Sequence, residues 1–171
     1  MNNMDKQWYA LRIKSRKERT VFERLESKDI EVYFPVMRVK PKNPRAAKTK
    51  PYFPGYMFIN VDLEQVGANT LNWMPGTLGL VSFDDNPASV PENLILELKE
   101  RLAEIEAQGG LELDGLKKGD RVRIIEGPFA GYEAIFDMRL PGKDRIQVLL
   151  AFLSQHPHPL KLDSDEIRKI K

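Results

Sequence analysis

Residues 119–131 limit what this chain can fold into more than any other stretch: Gly119-Asp120-Arg121-Val122-Arg123-Ile124-Ile125-Glu126-Gly127-Pro128-Phe129-Ala130-Gly131. Val122 and Ile124 alternate with Arg121 and Arg123, as on a half-buried pleated strand. The strand stops at Gly127-Pro128 and can restart after Gly131, because glycines on both sides of Pro128 permit a tight reversal that larger side chains resist. The run predicts the entry to a small β-barrel. Its strands are expected near 121–126, 132–139, 146–153 and 160–162, followed by a short segment through Ile167 and Ile170.

A chain of 171 residues, 42% hydrophobic and 30% charged, can bury a core as one domain or two small ones. No apolar run approaches the roughly 20 residues of a membrane helix. The residues before Trp8 carry none of the apolar stretch of a secretory signal. With no cysteine there is neither a disulfide framework nor a thiolate metal site, and the cytoplasm is the expected compartment. The net charge of +2 conceals a segregation: +8 over residues 1–60, −9 over 61–115 and +3 over 116–171. A basic segment beside an acidic one suits a polyanionic partner without indiscriminate binding, and suits equally a solvated surface sorted by segment.

Trp8 to Ile13 alternates as a strand, with Trp8, Ala10 and Arg12 on one side and Tyr9, Leu11 and Ile13 on the other. Ser15 and Glu18 have the spacing of a capping box, ahead of a helical stripe of Val21, Phe22 and Leu25. Ile30, Val32 and Phe34 form a second strand. Lys40 to Pro51 carries five cations and three prolines and is expected to be a basic loop. Phe53 to Val61 is apolar on both faces, as in a central strand. A short helix over Leu63–Leu71, a turn at Pro75-Gly76 and a strand over Leu78–Phe83 follow. Leu94, Ile95, Leu98, Leu102 and Ile105 mark an amphipathic helix stopped by Gly109-Gly110. The expected class is α+β: residues 1–108 as one sheet with flanking helices, a linker at 109–117, and the small barrel over 118–171.

Catalysis finds no support in the residues. His156 and His158 sit among prolines with too few nearby ligands for a metal, and neither a phosphate loop nor a nucleophile elbow occurs. No enzyme activity, metal or cofactor is expected.

Trp8-Tyr9-Ala10-Leu11, Phe53-Pro54-Gly55-Tyr56-Met57-Phe58, Met74-Pro75-Gly76 and the 119–131 run, in this order, resemble the NusG family of transcription elongation and antitermination factors. The first three landmarks resemble its NGN domain and the last its KOW motif, so that the resemblance spans about Trp8 to Ile170. Tyr132 to Phe136, Val148 to Leu153 and the absence of a long insertion look more like a specialised RfaH-like paralogue than the housekeeping factor. The resemblance implies an NGN domain that docks through an apolar face on the clamp helices of the largest RNA polymerase subunit and suppresses pausing. It places that face on Trp8, Tyr56 and Phe58, with Phe53 and Pro54; the other reading of these rings is core. It further implies contact with the non-template DNA strand, through Lys14, Arg16 and Arg24, whose other reading is a solvated helix face. The KOW barrel would bind a small-subunit ribosomal protein or Rho near Phe152 and Leu153. The protein is expected to be a monomer with no membrane partner.

Two points depart from the pattern. Gly67-Ala68-Asn69 stands where an RfaH-type protein has a His-Thr-Thr contact to the polymerase gate loop, which shifts that contact to Asn69, Thr70 or Asn72. An RfaH-like C-terminal domain can also fold as an α-helical hairpin packed on the NGN domain. Pro128, Gly131 and the β-branched Val122, Ile124 and Ile125 favour the barrel here. A KOW-containing RNA-binding ribosomal or translation protein is the competing function, against which a net charge of only +2 weighs.

Overall fold

A computed structural model describes residues 5–41, 43–112 and 129–156. Within these the chain forms two compact units: one of 5–34, 55–92 and 153–156, the other of 35–54, 93–112 and 129–152. This grouping by packing differs from a division by sequence at 109–117, most of which lies outside the described residues.

The first unit is built on an antiparallel sheet of β1 (Gln7–Ile13), β2 (Glu31–Tyr33), β5 (Tyr56–Val61) and β6 (Thr77–Leu80), in the order β2-β5-β1-β6. A short β9 (Ser89–Val90) also pairs with β1, and β7 (Ser82–Phe83) with β8 (Asn86–Pro87). Both interior strands, β1 and β5, carry the two-sided apolar runs seen in the sequence. Tyr9, Leu11 and Ile13 of β1 and Met57, Ile59 and Val61 of β5 share one face, since residues two apart on a strand point the same way. Val21 and Leu25 of α1 (Glu18–Ser27) close over them, with Leu71 of α3 (Ala68–Asn72) and Met74.

Several local expectations are corrected. The Ser15–Glu18 capping box does not form: α1 starts at Glu18, behind Lys17, without a side-chain cap. Arg16 takes a positive φ of 66°, and the loop closes through its backbone, Lys17 N–H donating to Lys14 O at 3.0 Å. The expected 63–71 helix is two short ones, α2 (Leu63–Val66) and α3, separated at Gly67. Its positive φ of 84° breaks the helical hydrogen-bond register.

In the second unit, the expected basic loop connects the strands of a hairpin, β3 (Val36–Lys40) and β4 (Thr49–Pro51), which take up its two ends. Met37 and Val39 alternate inward, a pattern that the surrounding lysines and prolines obscure. β10 (Leu111–Glu112) runs parallel to β3. The long helix α4 (Glu92–Ala107) buries Leu94, Ile95, Leu98, Leu102 and Ile105, as the periodicity predicts, and chain reversal follows at Gly109 and Gly110.

The largest correction concerns the chain after Phe129. Residues expected as strands at 132–139 and 146–153 form a 3-10 turn, Glu133–Phe136, and a helix, α5 (Gly142–Gln155). Val148 to Leu153 is a continuous apolar run, which periodicity cannot assign to strand or helix. Tertiary packing decides: α5 buries Arg145, Leu149, Phe152 and Leu153 at helical intervals, with Pro141 just ahead of its first turn. Phe129 packs edge-on against Phe136 (5.3 Å between centroids), and Tyr132 edge-on against Phe152 (5.1 Å). The other expected barrel strands, at 121–126 and 160–162, lie outside the described residues, as does the Gly119–Pro128 part of the opening run.

Candidate functional site

The face of the first unit's sheet opposite the core cluster is aromatic. Strand register assembles it. On β1 and β5, Ala10 pairs with Phe58, Arg12 with Tyr56 and Trp8 with Asn60; on β2 and β5, Tyr33 pairs with Phe58 and Glu31 with Asn60. Cross-strand partners lie on one side of a sheet. Tyr33, Tyr56, Phe58 and Trp8 therefore share a surface, with Tyr33 stacked on Phe58 at 6.3 Å and 22°. The rim is polar: Asn60 Nδ2 donates to Glu31 Oε1 at 2.9 Å, and Arg12 Nη2 to Leu78 O at 3.3 Å. The centre of this face is apolar and its edge polar.

Accessibility is graded across this face. Phe58 is 0% exposed and Trp8 6%, whereas Tyr33 and Tyr56 are half-buried and Arg12 is exposed. Burial pushes the Tyr33 phenol up to about 12. The sequence reading places Trp8, Tyr56 and Phe58 together, and the strand register does bring them onto one face. It missed Tyr33, whose pairing with Phe58 is a register fact invisible in a single strand. Phe53 and Pro54 belong to the second unit: Phe53 is fully buried, edge-on to Tyr52 at 4.9 Å, and Pro54 is exposed. Phe152 and Leu153, expected on an open barrel surface, are both buried in α5.

Lys14, Arg16 and Arg24 are all exposed. Lys14 and Arg16 stand on the β1–α1 loop, and Arg24 in the last turn of α1, where a cation suits the helix dipole. Lys14 N–H donates to Gly76 O at 2.9 Å, which fastens this loop to the turn at 73–77. That turn presents Trp73, 83% exposed. The turn is firmly held: Trp73 N–H reaches Asn69 O at 3.0 Å, Thr77 N–H reaches Met74 O at 3.1 Å, and Thr77 Oγ1 lies within hydrogen-bond distance of Leu71 O and Met74 O. Asn69 and Thr70, both exposed, precede Trp73 by four and three residues and so lie beside it. Asn72 is committed elsewhere, its Oδ1 accepting Leu80 N–H at 2.8 Å. Trp73 is thus a rigidly mounted, solvent-facing indole next to a basic loop. A tryptophan is rarely left so bare, and that signal was readable only with the fold in hand.

Among the described residues no group of three or more His, Cys, Asp or Glu could hold a metal, and no helix is long and apolar enough to cross a membrane.

Comparison with known proteins gives this geometry a setting. A family model described as "NusG: Transcription termination factor nusG" matches residues 6–99. The "Transcription termination/antitermination protein NusG" of Thermus thermophilus is 26% identical over 156 residues, covering 85% of this chain and 83% of the relative. The protein of the same name from Pseudomonas aeruginosa is 23% identical over 180 residues, covering 98% and 100%. A solved structure described as "Domain interaction in Thermotoga maritima NusG" aligns with a TM-score of 0.44 at 20% identity, over 75% of this chain and 77% of that one. The family model spans more than half of the sequence and takes in β1, β5 and the Trp73 turn: the chain belongs to the NusG family.

Proposed function

We propose that this protein is a transcription elongation and antitermination factor that binds the clamp helices of RNA polymerase through the aromatic face of its sheet and so suppresses pausing and termination. The observation that carries the reading is the shared surface of Trp8, Tyr33, Tyr56 and Phe58 on the side of the sheet away from the core. A sheet needs one apolar face for its own core; a second, aromatic one with a polar rim suits a partner, and aromatic rings dominate docking energetics. The relatives' printed names, transcription termination/antitermination proteins, support the same class. Phe58 is inaccessible, so full docking requires that this face be uncovered, with the half-buried Tyr56 making the first contact.

Nucleic acid enters at the second surface. Lys14, Arg16 and Arg24 would hold phosphates of the non-template strand, and Trp73 beside them would stack a base. Target choice by such a strand contact makes the factor operon-specific, in the manner of an RfaH-like paralogue. In this reading residues 1–108 bind polymerase and 118–171 recruit a ribosomal protein or Rho. Phe152 and Leu153 can take part only in a state that frees them from burial. The protein acts without catalysis or cofactor, as a cytoplasmic monomer.

An elongation assay on a pausing template tests the reading. Added protein is expected to shorten pauses, and Trp73→Ala to lose the sequence dependence of that effect while keeping polymerase binding. Unchanged pausing at saturating protein would overturn it, as would capture of ribosomal RNA from a lysate without polymerase.

A further inference from the structure

The β3–β4 hairpin of the second unit lies in the longest stretch of the chain without an acid. No Asp or Glu occurs between Glu31 and Asp62, while Arg38, Lys40, Lys42, Arg45, Lys48 and Lys50 all fall in that interval. Arg38 is already engaged: its Nη1 donates to Glu106 Oε1 at 2.9 Å. Arg45, Lys48 and Lys50 are exposed and make no ion pair among the described residues. The turn that carries them is built before any ligand arrives. Asn43 Oδ1 accepts Arg45 N–H at 3.0 Å, and Asn43 O accepts Ala46 N–H at 2.9 Å. Val39 N–H donates to Lys48 O at 2.8 Å, which extends the ladder toward the turn. Pro41 and Pro44 fix the backbone on either side of Asn43. Lys48 and Lys50, two residues apart, share a face at a spacing of about 7 Å. Strand β4 is the edge of its sheet, where a lysine also guards against pairing with another chain. Arg45, on the turn, has no such duty.

We propose that this hairpin holds double-stranded DNA, laying its basic turn in the major groove and pairing Arg45, Lys48 and Lys50 with backbone phosphates. The composition of the ribbon selects among nucleic acids. A single strand is gripped by rings that stack its bases, and no aromatic residue occurs from Pro35 to Pro51. Tyr52 and Phe53, next in the chain, are both 0% exposed. The major groove of B-form DNA is about 12 Å wide and admits a two-stranded ribbon, whereas that of an RNA duplex is too narrow for side chains to read. Ala46 and Ala47 keep the tip slim. Asn43 and Thr49 are the only uncharged polar side chains from Pro35 to Pro51, and Asn43 Oδ1 is occupied within the turn. With so few groups to read base edges, the hold is largely independent of sequence. A preformed turn also loses little freedom on binding. The proposal stands apart from the polymerase reading and from the single-strand surface, since none of its three cations is assigned to either.

Fluorescence anisotropy of a short labelled DNA duplex of mixed sequence, titrated with the full-length protein from low to physiological salt, tests it. The duplex is expected to bind, with a slope of log affinity against log salt of about −3, roughly one unit for each free cation. Arg45→Gln, Lys48→Gln and Lys50→Gln should each remove about one unit of that slope. Combined, they should weaken binding about tenfold or more at low salt. All three side chains are exposed, so the melting temperature should stay close to wild type. Lys14→Gln combined with Arg16→Gln, in the first unit, should leave duplex affinity unchanged, so that a failure of the single-strand surface shows separately. An RNA duplex of the same sequence bound as tightly would overturn the proposal. So would absence of duplex binding at low salt, unaltered affinity and slope in the folded triple variant, or a loss of duplex binding caused by the Lys14 and Arg16 changes instead.

Discussion

Gly76 carries a φ of 93°, and a Cβ built on it would lie 2.8 Å from Val21 Cγ2 and 3.4 Å from Lys17 Cβ. Backbone and packing both demand glycine there, because α1 must come that close to the turn for the core to close. Gly76→Ala should cost about 3 kcal/mol, from left-handed strain plus overpacking, and denaturant unfolding measures it. Trp73, three residues earlier, should behave in the opposite way. An 83% exposed side chain that packs on little contributes little, so Trp73→Ala should change stability by less than about 0.5 kcal/mol while altering nucleic-acid response. Tyr33 offers a pH test. Its folded phenol is raised to about 12 against an ordinary 10.0, so the folded state holds its proton where the unfolded state has lost it. Stability linked to Tyr33 is complete below about pH 10 and is lost as the pH rises toward 12. The urea midpoint should fall across that window, and Tyr33→Phe should flatten the fall.

At the scale of elements, the helix α4 and the strands β1 and β5 were legible because each carries a clean period. Leu94 to Ile105 repeats at helical spacing, and Tyr9, Leu11 and Ile13 at strand spacing. What sequence could not give were the choices made by partners. The β3–β4 hairpin hides Met37 and Val39 among lysines and prolines, and the Val148–Leu153 run fits strand or helix alone. Around α5, Arg145 fixes the outcome: its guanidinium lies 4.0 Å from the Tyr52 ring centroid and bonds to Tyr52 O, a pairing across 93 residues that no local pattern announces. The candidate site was half legible for the same reason. Alternation puts Tyr56 and Phe58 on one face of their strand and the family resemblance adds Trp8, whereas Tyr33 needed the β2–β5 register and Trp73 needed its exposure. Leu150→Pro tests α5 directly. Proline there loses the i to i−4 hydrogen bond and clashes with the preceding turn, so it should cost about 3 kcal/mol or more and reduce the far-ultraviolet helix signal. An unchanged signal would show that α5 is absent in solution.

At the scale of the whole molecule, the +8 of residues 1–60 is divided: Lys14, Arg16 and Arg24 stand in the first unit, whereas the six cations of residues 35–54 belong to the second. Association with nucleic acid through Lys14, Arg16 and Arg24 should therefore weaken steeply with salt. Docking through aromatic rings should be much less salt-sensitive, being driven by apolar burial. Two surfaces with two salt dependences are what a factor needs if it holds polymerase continuously and samples the exposed strand as it passes. The most direct measurement is the affinity of full-length protein for core RNA polymerase, wild type against Tyr56→Ala. The account predicts at least about tenfold weaker binding with a melting temperature close to wild type, because Tyr56 is half-buried and outside the core cluster. Equal affinity in a folded Tyr56→Ala protein would contradict it.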